Sequence, residues 1–148
     1  MNDFLEPKII QAVKAMLTGK VNDLLGKTEH QIPMLEFTDY QGVSALTPVI
    51  RLISCERTEK ERIIRQDAYS LSITFSLPDT LEGELYCYVY AGAVCRAVWD
   101  DPTLAGVVDR AVVTGKKFIK PEKPHNGQPW ELILSLRLTI TCSLLPVT

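Results

Sequence analysis

The sequence predicts an α+β domain, an antiparallel sheet of about four strands with two helices packed on one face. Three patterns predict it. Tyr69 to Leu77 and Trp130 to Leu144 alternate apolar and polar side chains, the period of strands with one wet face. Ile10, Val13, Leu17, Val21 and Leu24 recur at three- and four-residue steps, the period of a helix. Leu85 to Trp99 holds one charge, Arg96, in a run long enough to favour a second helix.

In chain order, Pro7 near a first helical turn opens the N-terminal helix. Gly19 is a candidate for an early break, and Gly26 is the expected end, because glycine closes a helix in the left-handed conformation without steric cost. Residues 31–37 read as a short edge strand and Asp39 to Gly42 as a turn; up to residue 47 the pattern gives a loop. Val49 to Cys55 predicts a strand, with Thr58-Glu59-Lys60-Glu61 as a charged tip before the return strand at Tyr69 to Leu77. Asp79 and Glu82 have the spacing of a helix start in which carboxylates satisfy free amides. The apolar helix that follows carries a stripe of Leu81, Leu85, Tyr88, Gly92, Cys95 and Trp99, and its composition requires cover on both sides. Asp100 to Gly106 ends it in a turn. Val107 to Ile119 then reads as a strand with an irregularity at Gly115, and a Pro-rich segment with an Asn-Gly signal leads into the last strand.

At 148 residues the chain fits one domain, 1–148, with protruding hairpin tips near 56–65 and 116–129. Its 46% hydrophobic and 23% charged residues lie near the globular average, so it is expected to fold. A net charge of -2 and a pI near 5.7 give no whole-chain attraction to polyphosphate, while local patches stay open. The first residues lack the basic stretch and apolar run of a secretory signal, and no window approaches ~20 apolar residues; a soluble protein kept in a cytoplasm is expected, without membrane contact. Cys55, Cys87, Cys95 and Cys142 have no CxxC spacing and read as packing residues in a reducing compartment.

Chemistry is hard to find. Gly26-Lys27-Thr28 invites a phosphate loop, but the required earlier glycine is Val21 and the triplet follows a helix instead of a strand, so it reads as a helix end. His30 and His125 stand in loops without metal-ligand neighbours. Asp100-Asp101 reads as capping for a helix start or tight turn. No catalytic residue, cofactor or metal site is predicted. Two charged segments remain as candidate interfaces. Arg57, Glu59, Lys60, Glu61 and Arg62 form a tip of mixed sign, beside which Ile63 and Ile64 put apolar side chains on an exposed ribbon. Lys116, Lys117, Lys120 and Lys123 form a local basic patch on the second arm, suited to phosphates or an acidic partner surface.

The order of four features resembles the tail terminator, or tail completion, proteins of long-tailed bacteriophages and prophages. They are the N-terminal amphipathic helix, the hairpin ending in Arg65-Gln66-Asp67-Ala68-Tyr69-Ser70-Leu71-Ser72-Ile73-Thr74-Phe75, the turn Asp101-Pro102-Thr103-Leu104-Ala105-Gly106, and the closing strand Trp130-Glu131-Leu132-Ile133-Leu134. The resemblance covers most of the chain. It implies a non-enzymatic virion subunit that forms a ring, hexameric in that family, at the head-proximal end of the tail tube. Such a ring stops tube growth and joins tail to head. The implied partners are copies of itself, the tail tube protein and a head-completion or connector protein. The implied locations are the host cytoplasm during assembly and the virion tail. DNA would pass through the ring, with no specific nucleic-acid binding expected. Two other readings stay open: another connector or minor tail subunit, and a small ligand-binding domain or enzyme with a pocket between sheet and helix, where Tyr86, Tyr88, Tyr90 and Trp99 would line it.

Overall fold

The computed structural model describes residues 4–29, 32–37, 45–61, 64–77, 82–122 and 129–143. The N-terminal helix runs as α1 (Leu5–Met16), a π-helical turn (Leu17–Val21) and α2 (Asn22–Gly26). Its fully buried residues are Ile9, Val13, Leu17, Val21 and Leu25, spaced by four throughout. Each four-residue step overshoots an α-helical turn by about 40°. The wider π turn rotates less per residue and takes that drift back, so all five meet one core. Ile10 and Leu24, expected on the buried face, are half-buried beside it. Gly19 sits within the π turn and does not break the helix. Gly26 ends it without a left-handed turn: the Thr28 hydroxyl caps the Leu25 carbonyl at 2.8 Å, and among the described residues Gly106 is the glycine with positive φ.

Two short strands, β1 (Met34–Leu35) and β2 (Ala45–Leu46), pair in parallel. The Asn22 amide holds β1 to the helix, donating to the Leu35 carbonyl and accepting from its N–H. The turn expected at Asp39 to Gly42 lies outside the described residues.

The main sheet consists of β3 (Val49–Glu61), β4 (Ile64–Leu77), β5 (Arg110–Ile119) and β6 (Trp130–Ser143), antiparallel throughout in the order β3-β4-β6-β5. β4 and β6 pair from Ile64↔Ser143 to Leu77↔Trp130 without a register shift, so the alternation in both strands sums to one apolar face. Leu71, Ile73, Phe75 and Leu77 meet Leu132, Leu134, Leu136 and Leu138 there, all at most 1% exposed. β3 runs past Cys55 to Glu61, and β4 is flanked by β6 to its first residue. The first tip is therefore the end of a three-stranded ribbon that continues beyond the start of β5. The irregularity expected at Gly115 is a register shift between Val113 and Gly115.

α3 (Gly83–Asp100) packs over β5 and β6, with the N-terminal helix beside it and toward β3, so both helical layers share one face of the sheet. Phe75 of β4 stacks on Tyr90 of α3 with ring centroids 5.1 Å apart. The α3 start differs from expectation. Glu82 precedes the first turn without capping a backbone amide, its carboxylate accepting from the Tyr86 hydroxyl instead, and Asp79 lies outside the described residues. Among the described residues no helix is long and apolar enough to cross a membrane.

A Cβ at Gly19 would meet nothing within 4 Å, and its backbone is not left-handed. Gly19→Ala is therefore expected to raise the unfolding free energy by roughly 0.5–1 kcal/mol, read from urea denaturation.

Candidate assembly surfaces

α3 is apolar on two sides, and only one is covered. Cys87, Tyr90, Ala91, Val94, Ala97 and Val98 form the buried stripe at steps of three and four residues. The expected stripe lies on the opposite side: Trp99 is 82% exposed, Tyr88 50%, a Cβ on Gly92 would point into open space, and Leu85 and Cys95 are half-buried. Leu81 lies outside the described residues. Phe118 of β5, 40% exposed, packs edge-on to Tyr88 at 5.2 Å between centroids, which joins this stripe to the β5 edge. At the other edge of the sheet, Val49 and Ile53 of β3 are 53% and 61% exposed.

The charged ribbon carries an ion cluster that the sequence reading missed. Asp67 is the buried charged residue of the described core. Arg57 pairs with it across the strands, Nε to Oδ1 at 3.1 Å, and the Arg65 Nε lies 3.5 Å from the same oxygen without making a hydrogen bond. The hydrogen bond and charge of Asp67 raise the Arg57 pKa. Parity carries the signal: Arg65 and Asp67 continue the inward register of Tyr69 and Leu71.

The structure separates the other candidates. Glu59 is exposed across from Arg65, and Ile64 is half-exposed on the opposite face of the sheet. Lys60 and Glu61 lie in β3, with side chains outside the described set, and Arg62, Ile63 and Lys123 lie outside the described residues, as do His30 and His125. Lys116 and Lys117 point to opposite faces of β5, paired with Leu134 and Ile133 respectively, and Lys120 is exposed beyond the strand end. The lysine run is thus no single patch.

The turn after α3 is held by its own side chains. Leu104, Ala105 and Gly106 have φ of 50°, 59° and 86°, and left-handed backbone costs a non-glycine residue about 1–2 kcal/mol. Asp101 Oδ1 accepts from the Thr103 hydroxyl at 2.9 Å and its N–H at 3.3 Å, and Oδ2 from the Ala105 N–H at 2.8 Å. Buried Leu104 and Val108 pin the turn to the core, and the Asp109 N–H donates to the Thr139 carbonyl. The Ala105 amide and Thr103 hydroxyl hold the Asp101 carboxyl below its ordinary value. Asp100 does different work. Despite partial desolvation it is also held low, by Arg96 one turn back and by Lys20 of the N-terminal helix at 3.5 Å.

An open apolar groove of about 610 Å³ runs between α1 and this turn, past Ala12, Met16, Leu104 and Val107. Its rim charges are engaged, Lys20 with Asp100 and Asp101 with the turn backbone. The space between sheet and α3, where the pocket reading would put a ligand, is filled by Phe75, Tyr90 and Cys87. Tyr90 donates to the Pro33 carbonyl, and burial pushes its phenol up. Burial, with Glu84 nearby, pushes the Cys87 thiol up to about 11, so it is protonated at neutral pH. Cys55, expected to be buried, is exposed, because the edge strand has little cover beyond Leu52. The chain matches no protein-family model and no curated protein.

Asp67→Ala leaves two arginines around a vacated site and is expected to cost about 2–3 kcal/mol in urea denaturation; Arg57→Ala, on the exposed partner, costs less. For Asp101 the depressed carboxyl contributes stability that is present above its unfolded value near 3.8 and lost as pH falls through the lower folded value. Asp101→Asn is expected to destabilise by about 1 kcal/mol at pH 7. That gap should stay flat to about pH 5 and close as the pH drops below about 4, as measured by denaturation at each pH.

Proposed function

We propose that this chain is a structural subunit that assembles with copies of itself into a ring, which closes the head-proximal end of a phage tail tube and joins it to the head. The observation that carries this reading is the uncovered apolar side of α3. Covering Trp99 alone would remove on the order of 200 Å² from water, roughly 4–5 kcal/mol before the cost of association. A lone chain gains nothing from leaving Trp99, Tyr88 and Phe118 in solvent, whereas a neighbour that covers them does.

The placement of the patches favours a head-to-tail neighbour. The α3 stripe adjoins the β5 edge, while Val49 and Ile53 mark the β3 edge on the far side of the sheet. Two different patches on opposite flanks pair heterologously, and such pairing closes into a ring when the rotation per subunit allows. The resemblance to tail terminator proteins supplies the context, a tube on one side of the ring and a connector on the other. One of its motifs has a physical role here, since Asp101, Thr103 and Leu104 fix the turn that follows the α3 stripe.

Trp99→Glu and Ile53→Glu should each leave the fold intact by circular dichroism and abolish assembly in sedimentation velocity. A head-to-tail contact adds a sharper result: the two variants mixed form one-to-one dimers and nothing larger, because each keeps one sound patch. A wild-type protein that stays monomeric at several hundred micromolar, and forms no rings on added tail tubes by electron microscopy, would sink the reading.

A further inference from the structure

We propose that the outer face of the sheet, turned away from both helices, is a contact surface for the phosphates of duplex nucleic acid, independent of base sequence. Pairing register puts Arg51, Arg110, Arg137 and Lys117 on this face, on three of the four strands. All four are exposed, and none has an ion-pair partner among the described residues. By the same register the acids of this face in the described strands are Glu131, Glu56 and Glu61, all near its margins, so the stretch that holds Arg51, Arg137 and Arg110 is locally positive in a chain of net charge -2. No described element packs over it.

The spacing suits an extended polyanion. Strands stand about 4.8 Å apart and same-face residues about 6.7 Å apart along a strand. Arg110 and Arg137 are therefore about 8 Å apart at the backbone and Arg51 and Arg137 about 12 Å, a diagonal of roughly 20 Å in all. A duplex presents one charge per ~1.7 Å of axis, about a dozen over that length. Between the arginines lie serine hydroxyls, which also bind phosphate oxygens.

The same face argues against other occupants. Protein interfaces are anchored by aromatic side chains in a dry centre, and single strands are held by stacking on aromatic rings. The described outer face has no aromatic residue, its middle being Ser70, Ser72 and Ser135. Of the exposed aromatic residues, Tyr88, Trp99 and Phe118 lie on the surface assigned above to assembly, and Phe4 precedes α1. This inference does not rest on the ring reading, since the face is open in the single chain.

The test is fluorescence anisotropy with a labelled 30-base-pair duplex of random sequence and the full chain. Weak binding is expected at 50 mM NaCl, falling about 20-fold by 150 mM, the salt slope of about three neutralised phosphates. The triple variant R51A/R110A/R137A should lose at least about tenfold in affinity with its circular dichroism unchanged. The single Arg137→Ala should weaken binding several-fold while Lys27→Ala, of equal charge change on the helix side, leaves it unchanged; this pair reads the face even if the triple variant fails to fold. No binding at 50 mM NaCl, or equal losses from Arg137→Ala and Lys27→Ala, overturns the proposal. Polyglutamate competing as well as duplex overturns it in favour of an acidic protein. Sedimentation of the same samples reports assembly separately, so either reading can fail alone.

Discussion

The unbroken register between β4 and β6 is the constraint from which the rest of the molecule follows. Because these central strands pair residue for residue, every inward side chain of one stands beside an inward side chain of the other. A slip by a single residue would turn Leu71, Ile73 and Phe75 to water together. With one face committed to leucine, isoleucine and phenylalanine, both helices must lie on that side. The other side carries serine, threonine and arginine, with Val49, Val112 and Ile133 among them. The outer strands deviate where the centre does not, with register shifts near Ile53 in β3 and Thr114 in β5. Edge strands tolerate such bulges, which bend the sheet and spoil it as a template for indiscriminate pairing.

What was legible in the sequence was whatever a period could express. The alternation in β4 and β6 and the glycine irregularity in β5 are local signals, and the structure keeps them. Side-chain direction in α3 was not legible, because a helix apolar all round gives no clue to which stripe meets the sheet. The core took the stripe built on Cys87, Tyr90 and Val94, the one whose tyrosine reaches both Phe75 and the Pro33 carbonyl. The π turn was hidden for a related reason. A ladder of apolar residues spaced by four looks like an imperfect α-helix, and only the packed core shows that the backbone widens to keep the ladder straight.

Charges were read as runs along the chain, and the sheet rearranges runs. Lys116 and Lys117 are neighbours in sequence and on opposite faces in space. Arg51, Arg110 and Arg137 are scattered in sequence and share a face. Asp67 is similar: it interrupts an apolar register, and its meaning appears only when β3 brings Arg57 opposite it. Topology therefore decides which charges act together. A pI near 5.7 averages over an acidic remainder and a basic sheet face, and conceals both.

The surfaces divide by the kind of force they can offer. Desolvation of aromatic area is strong, short-ranged and specific in shape, and it is confined to the α3 flank and the sheet edges, where a rigid neighbour can fit. Charge on a flat hydroxyl-lined face is weak per contact, long-ranged and indifferent to detail, which suits a partner that slides or is met in many registers. The left-handed turn at Leu104 to Gly106 lies beside the first kind of surface, and strain there is held by Asp101 and by burial of Leu104. A turn so fastened fixes the end of α3, and with it the position of Trp99, against the pull of whatever covers it. The outer face needs no such bracing, because the ladder beneath it is the most continuous hydrogen-bonded part of the chain.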